Sequence, residues 1–173
     1  LFWAVRGGGG NFGVVTSFEF RLHPVGPKVW HSAVFYSLDR AEPLLKRFRD
    51  YMQEAPEELG GLATLWNAKE GAPFPEAAWG APVLAFVTCY TGPLDQGERV
   101  LAPLRTWDRP LLDLTGRVLY LEAQRFLDED YPSGRLYYWK SLYLDTFDDA
   151  AIASTIGHAA SKEAISTRCD LRG

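Results

Sequence analysis

The chain has 173 residues, of which 47% are hydrophobic and 23% are charged, with a formal net charge of −4 at pH 7. This composition fits a globular protein with one substantial core and excludes an intrinsically disordered chain, and the scattered Lys and Arg residues supply no basic surface for a nucleic-acid partner. No apolar run approaches the ~20 residues that cross a bilayer and no signal segment opens the chain, so we expect a soluble, cytoplasmic protein without a membrane partner.

The first notable segment is a run of four glycines, residues 7–10, followed by Asn-Phe-Gly. Ordered glycines are entropically costly, so a folded protein keeps them where the backbone needs a positive φ or where a ligand approaches the main chain closely. Gly8, Gly10 and Gly13 formally match the G-x-G-x-x-G pattern of dinucleotide-binding units, but that pattern must open a helix. Here the β-branched and aromatic residues 14–22 predict a strand. The run is therefore predicted to be a turn that holds a phosphate or lies along a flavin, with a ligand-free turn as the alternative.

Patterns beyond the rigid connector at residues 24–27 predict alternating strands and helices. Strand 28–38 places Val29, His31, Ala33 and Phe35 on one side and Trp30, Ser32, Val34 and Tyr36 on the other. The predicted cap of the first helix is Asp39, and that of the second helix is Asp95 or Thr91. The other predicted elements are helices 39–54, 95–107, 120–127 and 148–162 and strands 62–68, 82–90, 135–144 and 165–171. This order predicts an α+β fold in which helices cover one face of a mainly antiparallel sheet.

Strand 135–144 is the most distinctive of these elements because three consecutive aromatic residues precede a lysine. Alternation places Tyr138 and Lys140 on one face of this strand. A lysine is costly to bury without a partner, so this face is favoured as the wetter, ligand-facing one. The row of aromatic residues on the opposite face, Tyr137, Trp139 and Tyr143, is the alternative stacking surface, and core aromatics are the plain alternative for both rows.

The opening residues, Leu-Phe-Trp-Ala-Val-Arg-Gly-Gly-Gly-Gly-Asn-Phe-Gly-Val-Val-Thr, resemble the end of the flavin-binding domain of berberine-bridge-enzyme-like oxidases. These enzymes belong to the vanillyl-alcohol-oxidase superfamily of FAD-linked oxidoreductases. The resemblance continues through residues 18–25, and weaker similarity extends over residues 89–92, 120–124 and 135–141. It therefore covers nearly the whole chain in a constant order.

The resemblance implies that residues 1–27 are the C-terminal end of an FAD-binding domain and that residues 28–173 are an incomplete substrate domain. The chain is then a fragment whose partners are the missing N- and C-terminal parts of the same enzyme and a small-molecule substrate. The implied reaction is oxidation of an alcohol or amine-type carbon by hydride transfer to flavin, with O2 as the acceptor. The residues implied to contact FAD are Gly7, Gly8, Gly9, Gly10, Asn11, Phe12 and Gly13.

Substrate contacts are expected from Tyr138, Lys140 and Gln124, the last lying in a segment that shares the resemblance. No catalytic base is assigned, because the family's usual tyrosine base lies outside this chain. The family's usual flavin-attachment residues also lie outside it. The three histidines lack metal-ligand spacing, so no metal site is expected, and Cys89 and Cys169 are predicted to be buried or free thiols. The isolated chain is expected to be inactive. A non-catalytic binding module and an oligomerisation domain are the alternative functions.

Overall fold

The computed structural model describes residues 1–71, 73–161 and 169–172. Its strands are β1 (Lys28–Ser37), β2 (Leu59–Asn67), β3 (Pro82–Tyr90), β4 (Leu112–Asp113), β5 (Gly116–Leu119) and β6 (Cys169–Arg172). They form one sheet in the order β4-β1-β3-β2-β6, and β5 also pairs with β1. Every pair is antiparallel, which confirms the predicted α+β fold.

The helices are α1 (Phe2–Val5), α2 (Ala41–Glu54), α3 (Gly97–Thr106), α4 (Tyr120–Gln124) and α5 (Asp149–Ala160). Short 3-10 turns occupy Gly9–Phe12, Leu38–Arg40, Glu76–Ala78 and Asp128–Asp130. In α2 the buried residues Leu44, Leu45 and Phe48 follow the three- and four-residue spacing of a helix that packs one side on a core. Among the described residues, no helix has the length and apolarity that a membrane span requires.

The main core lies between the sheet and three helices. Trp30, Val34 and Tyr36 of β1 join one buried cluster with apolar residues of α2, α3 and α5. The Tyr36 hydroxyl donates a hydrogen bond of 2.6 Å to the carbonyl of Leu104 in α3. This arrangement confirms the predicted division of β1 into two faces, because Ala33 and Phe35 lie in a second cluster.

The second face of the sheet has a smaller core, which includes Ala33 and Phe35 of β1 and Val83 and Ala85 of β3. Phe74, from the loop between β2 and β3, packs on Phe35 with its ring edge-on at a centroid distance of 4.8 Å. Among the described residues, none from α2, α3 or α5 belongs to this cluster, and the β2–β3 loop covers part of the face.

The predicted strands 14–22 and 135–144 are wrong in the structure. Both segments have irregular backbone, and their residues are exposed. A strand is stable only when its N–H and C=O groups pair with a neighbour, and within the described chain neither segment has a partner strand. The division of residues 135–144 into two faces fails with the strand.

Helix ends also differ in part from the predictions. The N-cap of α2 is Arg40 and that of α3 is Gln96, without side-chain hydrogen bonds, so the caps predicted at Asp39 and at Asp95 or Thr91 are wrong. Instead, α2 follows directly from the 3-10 turn Leu38–Arg40, and α3 follows directly from a turn at residues 94–96. Asp148 is a true cap of α5, since its carboxylate accepts a 2.8 Å hydrogen bond from the Ala151 amide.

The elements near the C-terminus are shorter than predicted. The helix expected over residues 120–127 ends at Gln124, and α5 ends at Ala160. The strand expected over residues 165–171 corresponds to β6, which pairs with β2. Residues 162–168, on which part of both predictions falls, lie outside the described residues.

Candidate functional site

The glycine run follows α1, and its last two residues, Gly9 and Gly10, belong to the 3-10 turn Gly9–Phe12. We call residues 7–13 the glycine loop. Gly7, Gly9 and Gly13 have φ values of +113°, +64° and +124°, a region that side chains other than glycine rarely adopt. Gly7, Gly9 and Gly13 therefore have the positive φ that the glycine-rich sequence suggests. No α-helix follows the run, which agrees with the rejection of a nicotinamide-type dinucleotide motif.

The loop leaves room for a ligand against its main chain. A Cβ atom built on Gly7, Gly9, Gly10 or Gly13 would meet no atom within 4 Å. Gly8 is different, because its Cβ would lie 2.3 Å from the Ala4 carbonyl oxygen and 2.4 Å from the Phe12 ring. Gly8 therefore has a local packing role, whereas the other glycines border open space in which a flat group can approach the backbone.

Asn11 helps to hold the loop in shape. Its side-chain amide donates a 3.3 Å hydrogen bond to the Gly8 carbonyl, and the Gly8 amide donates one of 3.0 Å to Ala4. Within the described residues, the hydrogen bonds of residues 1–26 all stay inside that segment. The glycine loop is thus a local structure held by hydrogen bonds within its own segment.

The second candidate surface is the part of the sheet's second face that the β2–β3 loop does not cover. Leu62 of β2 and Val87 and Cys89 of β3 are half-buried there, and Gly60 is exposed. The register pairs Leu62 with Val87 and Gly60 with Cys89, so these residues form a flat strip across two strands. We call Gly60, Leu62, Val87 and Cys89 the open strip.

His31 borders the open strip from β1, where it is paired directly with Cys89. Only 6% of His31 is exposed, and its ring lies 4.5 Å from the Phe126 ring between centroids. Burial lowers the pKa of His31, so the imidazole is neutral at pH 7. Burial also raises the pKa of the Cys89 thiol, which is free, as the sequence predicts. Cys169 lies in β6, outside the residues whose side chains are described.

The predicted substrate residues lie elsewhere and are exposed. Tyr138 is 83% exposed, and the Lys140 ammonium lies 5.8 Å from the centre of its ring. Gln124 is an exposed residue at the end of α4. Among the described residues, no hydrogen bond or ring contact joins these three side chains to the glycine loop or to the open strip. The structure thus brings Tyr138 and Lys140 together but does not assemble them with Gln124.

The open strip was not predicted as a site. Alternation along β1 predicted the face on which His31 lies, and the apolar pattern around Cys89 predicted a strand, but neither pattern shows that the two residues are neighbours. That pairing depends on the register between β1 and β3, and local alternation does not determine it. The available signal was a polar residue, His31, among the apolar residues Val29, Ala33 and Phe35 on one side of β1.

The chain is similar to proteins named FAD-linked oxidoreductases. It is 27% identical over 164 residues to one from Dictyostelium discoideum, an alignment covering 94% of this chain and 33% of that protein. It is 32% identical over 104 residues to another from Aspergillus terreus, covering 60% of this chain and 20% of that protein. No protein-family model matches the chain.

Among solved structures, the fold is similar to that of 6-hydroxy-D-nicotine oxidase from Arthrobacter nicotinovorans. The TM-score is 0.57 and the sequence identity is 27%, with 78% of this chain and 28% of the oxidase covered. The chain spans about a third or less of the length of these proteins. The names agree with the predicted class, an FAD-linked oxidoreductase, and do not distinguish the berberine-bridge-like subtype.

Proposed function

We propose that this chain is part of an FAD-dependent oxidoreductase of the berberine-bridge-enzyme-like type, which oxidises an alcohol or amine-type carbon with O2 as the final acceptor. The single observation that carries the proposal is the glycine loop, which combines positive φ values with open space beside its backbone. The similarity to proteins named FAD-linked oxidoreductases supports FAD as the ligand. A cytoplasmic location stays a prediction.

The loop residues Gly7, Gly9, Gly10 and Gly13 would hold the flavin through close approach of their main chain. Gly8, Asn11 and Phe12 would maintain the loop, because Asn11 bonds the Gly8 carbonyl and Phe12 packs on Gly8. FAD supplies a hydride acceptor, and the protein's contribution is to bind and orient the reacting groups.

The open strip suits the wall of a substrate site because it is flat and mostly apolar. Tyr138, Lys140 and Gln124 are exposed in this chain and are proposed to contact the substrate once the enzyme is complete. Lys140 would supply a positive charge and hydrogen-bond donors, and Tyr138 an aromatic surface with a hydroxyl. The proton acceptor is proposed to come from the rest of the enzyme.

We further propose the division into residues 1–27, from a flavin-binding domain, and residues 28–173, from an incomplete substrate domain. Large apolar side chains are exposed throughout residues 1–25 and 135–144, including Trp3 at 82%, Phe18 at 70% and Leu136 at 103%. Apolar surface of this extent normally marks an interface. The remaining N- and C-terminal parts of the same enzyme are the proposed covering partners.

The direct test is to express the polypeptide of the complete reading frame and the 173-residue chain side by side. The complete protein should show flavin absorbance and release peroxide with one or more members of a panel of aromatic alcohols, sugars and amines. The short chain should be colourless and inactive. A colourless complete protein would favour the non-catalytic binding module, and a yellow short chain with equimolar FAD would contradict the fragment assignment.

The Gly10→Val substitution tests the role of the loop. Gly10 lacks a positive φ and its Cβ would meet no atom, so the protein tolerates a side chain there, whereas a flavin lying against the loop would not. We expect the complete variant protein to fold normally and to lose most of its bound FAD. Gly157→Val in α5, remote from the loop in sequence, is the matched control and should retain FAD. Equal FAD content in the two variants would contradict the assignment.

A further inference from the structure

Residues 120–131, which we call the strap, lie against the second face of the sheet. The strap begins directly after β5, where the Tyr120 amide donates a 2.9 Å hydrogen bond to the Pro27 carbonyl. Farther along, Phe126 packs on the second cluster, and its ring centroid lies 4.5 Å from that of His31. The strap is thus fixed at its start and rests on the sheet at its middle.

The backbone hydrogen bonds along the strap are local. The Arg125 amide bonds the Glu122 carbonyl at 3.1 Å, and the Asp128 amide bonds the Arg125 carbonyl at 3.0 Å. The Asp130 amide bonds the Leu127 carbonyl at 3.0 Å. Bonds between residues three apart form turns, but they do not determine where a segment lies on another element. The position of the strap's C-terminal half on the sheet therefore depends on its side chains.

An ion pair between Lys69 and Asp130 joins this half of the strap to the sheet. Lys69 lies just beyond the end of β2, and its Nζ is 5.7 Å from the centre of the Trp66 ring in that strand. The same Nζ bonds Oδ1 of Asp130, a residue 61 positions away in the sequence. The Asp130 side chain is only 9% exposed, whereas that of Lys69 is 51% exposed. The carboxylate on the strap is therefore mostly buried beside a lysine that belongs to the sheet.

Loss of this pair would affect its two partners differently. A mostly buried carboxylate that has lost its cation has a large desolvation cost, so Asp130 would move toward water and take the end of the strap with it. A half-exposed ammonium is readily solvated, so Lys69 can lose the carboxylate at a small cost. The position of the strap therefore depends more on the lysine charge than on the carboxylate charge.

Gln124 lies on the strap between its fixed start and the ion pair. We propose that Lys69 and Asp130 are positioning residues, whose ion pair holds the strap on the sheet and thereby sets where Gln124 meets the substrate. This inference rests on the proposed function, in which Gln124 contacts the substrate, and adds the residues that place it. Displacement of the strap would remove that contact without changing the reacting groups.

The first readout is limited proteolysis of the complete protein by trypsin. Arg125 is exposed on the strap, and cleavage after it requires the strap to open locally. Lys69→Met keeps an apolar stem over Trp66 and removes the cation. Cleavage after Arg125 should become about tenfold faster, between the near-zero effect of an exposed ion pair and the ~100-fold or larger effect of a buried one. Cleavage after Arg99 in α3 should stay the same, which excludes general unfolding.

Three more variants identify the cause of any change. Asp130→Asn removes the pair without leaving a buried ion, so it should have a smaller effect than Lys69→Met. Lys69→Arg keeps a cation and should behave as the wild type does. Lys46→Met is the matched control, because Lys46 also forms ion pairs, with Glu42 and Asp149, but lies on α2. It should leave cleavage after Arg125 unchanged.

The second readout is turnover, measured as peroxide release with benzyl alcohol, glucose and benzylamine. Lys69→Met should raise KM by up to about tenfold, the worth of one hydrogen bond, with kcat nearly unchanged. Gln124→Ala should raise KM by a similar factor. Adding Lys69→Met to Gln124→Ala should change KM little further, because both substitutions remove the same contact. A merely structural role of the ion pair would give additive effects.

The two readouts together decide the proposal. Faster cleavage after Arg125 with non-additive changes in KM supports it. Unchanged cleavage after Arg125, equal acceleration after Arg99, or additive changes in KM overturns it. Absence of flavin or of turnover in the complete protein would instead contradict the proposed function, and the proteolysis comparison would then decide whether the ion pair holds the strap.

Discussion

Replacing Gly97 with alanine should destabilise the chain strongly, although alanine is the better helix former. Gly97 is the first residue of α3, and a Cβ there would lie 2.0 Å from Cδ1 and 2.5 Å from Nε1 of Trp30. Trp30 is only 8% exposed, and its Nε1 donates a 2.7 Å hydrogen bond to the Leu94 carbonyl. The indole cannot move away without breaking that bond and disturbing the core.

The expected change in the free energy of unfolding is the sum of opposing effects. Overpacking a core by a methyl group costs about 1–3 kcal/mol, and losing the indole hydrogen bond costs about 0.5–1.5 kcal/mol. The gain in helix propensity is at most about 1 kcal/mol in a helix interior, and Gly97 lies at the helix start. We therefore expect the free energy of unfolding to fall by about 2–3 kcal/mol and Tm to fall by about 4–12 °C.

Urea unfolding followed by far-ultraviolet circular dichroism measures this change. Gly157→Ala in α5 is the matched control, because its Cβ would meet no atom within 4 Å and the residue lies inside a helix. That variant should be more stable than the wild type by up to about 1 kcal/mol. The reasoning is refuted if Gly97→Ala is as stable as the wild type, or if both variants change in the same direction.

Three further perturbations test other contacts. Tyr36→Phe leaves the Leu104 carbonyl without its 2.6 Å hydrogen bond and should lower the free energy of unfolding by about 1–3 kcal/mol in urea denaturation, with no change in secondary structure. Asp148→Ala removes the bond to the Ala151 amide and should cost about 1 kcal/mol, whereas Asp148→Asn should retain most of the stability. Because burial lowers the pKa of His31, the unfolded chain binds a proton at this residue more readily than the folded one. Stability should therefore decline as the pH falls below the unfolded value near 6.5, and a His31→Phe variant that kept the same decline would exclude His31 as its cause.

Elements whose partners lie within the chain could be predicted from the sequence. The alternation in β1 predicted which of its residues face the helices, because the neighbouring strands and α2 supply the apolar surfaces that the alternation implies. The spacing of Leu44, Leu45 and Phe48 likewise predicted the buried side of α2. In these cases local pattern and tertiary packing favour the same structure.

The same patterns gave wrong predictions where the described chain contains no partner strand. Residues 14–22 and 135–144 have strong strand character, yet strand propensity mainly reflects packing against neighbouring strands. Phe18 and Phe20 stack on each other with centroids 5.5 Å apart and otherwise stay exposed. The faces assigned to Tyr138 and Lys140 depended on a strand that does not form, so the substrate-contact prediction lost its geometric basis.

The open strip itself follows from where the β2–β3 loop is held. The Ala68 amide bonds the Ala81 carbonyl, and the Asn67 side chain and the Gly80 amide complete the base of the loop, each at 2.9 Å. These bonds place the loop at the end of β3 near Val83, and Cys89 lies six residues farther along the strand, about 20 Å away at ~3.3 Å per residue. Phe74 reaches Phe35 from this base, and the strip around Cys89 lies beyond that contact. Because the sheet extends beyond its own loop, the half-buried end of this face keeps a flat surface that the loop does not cover.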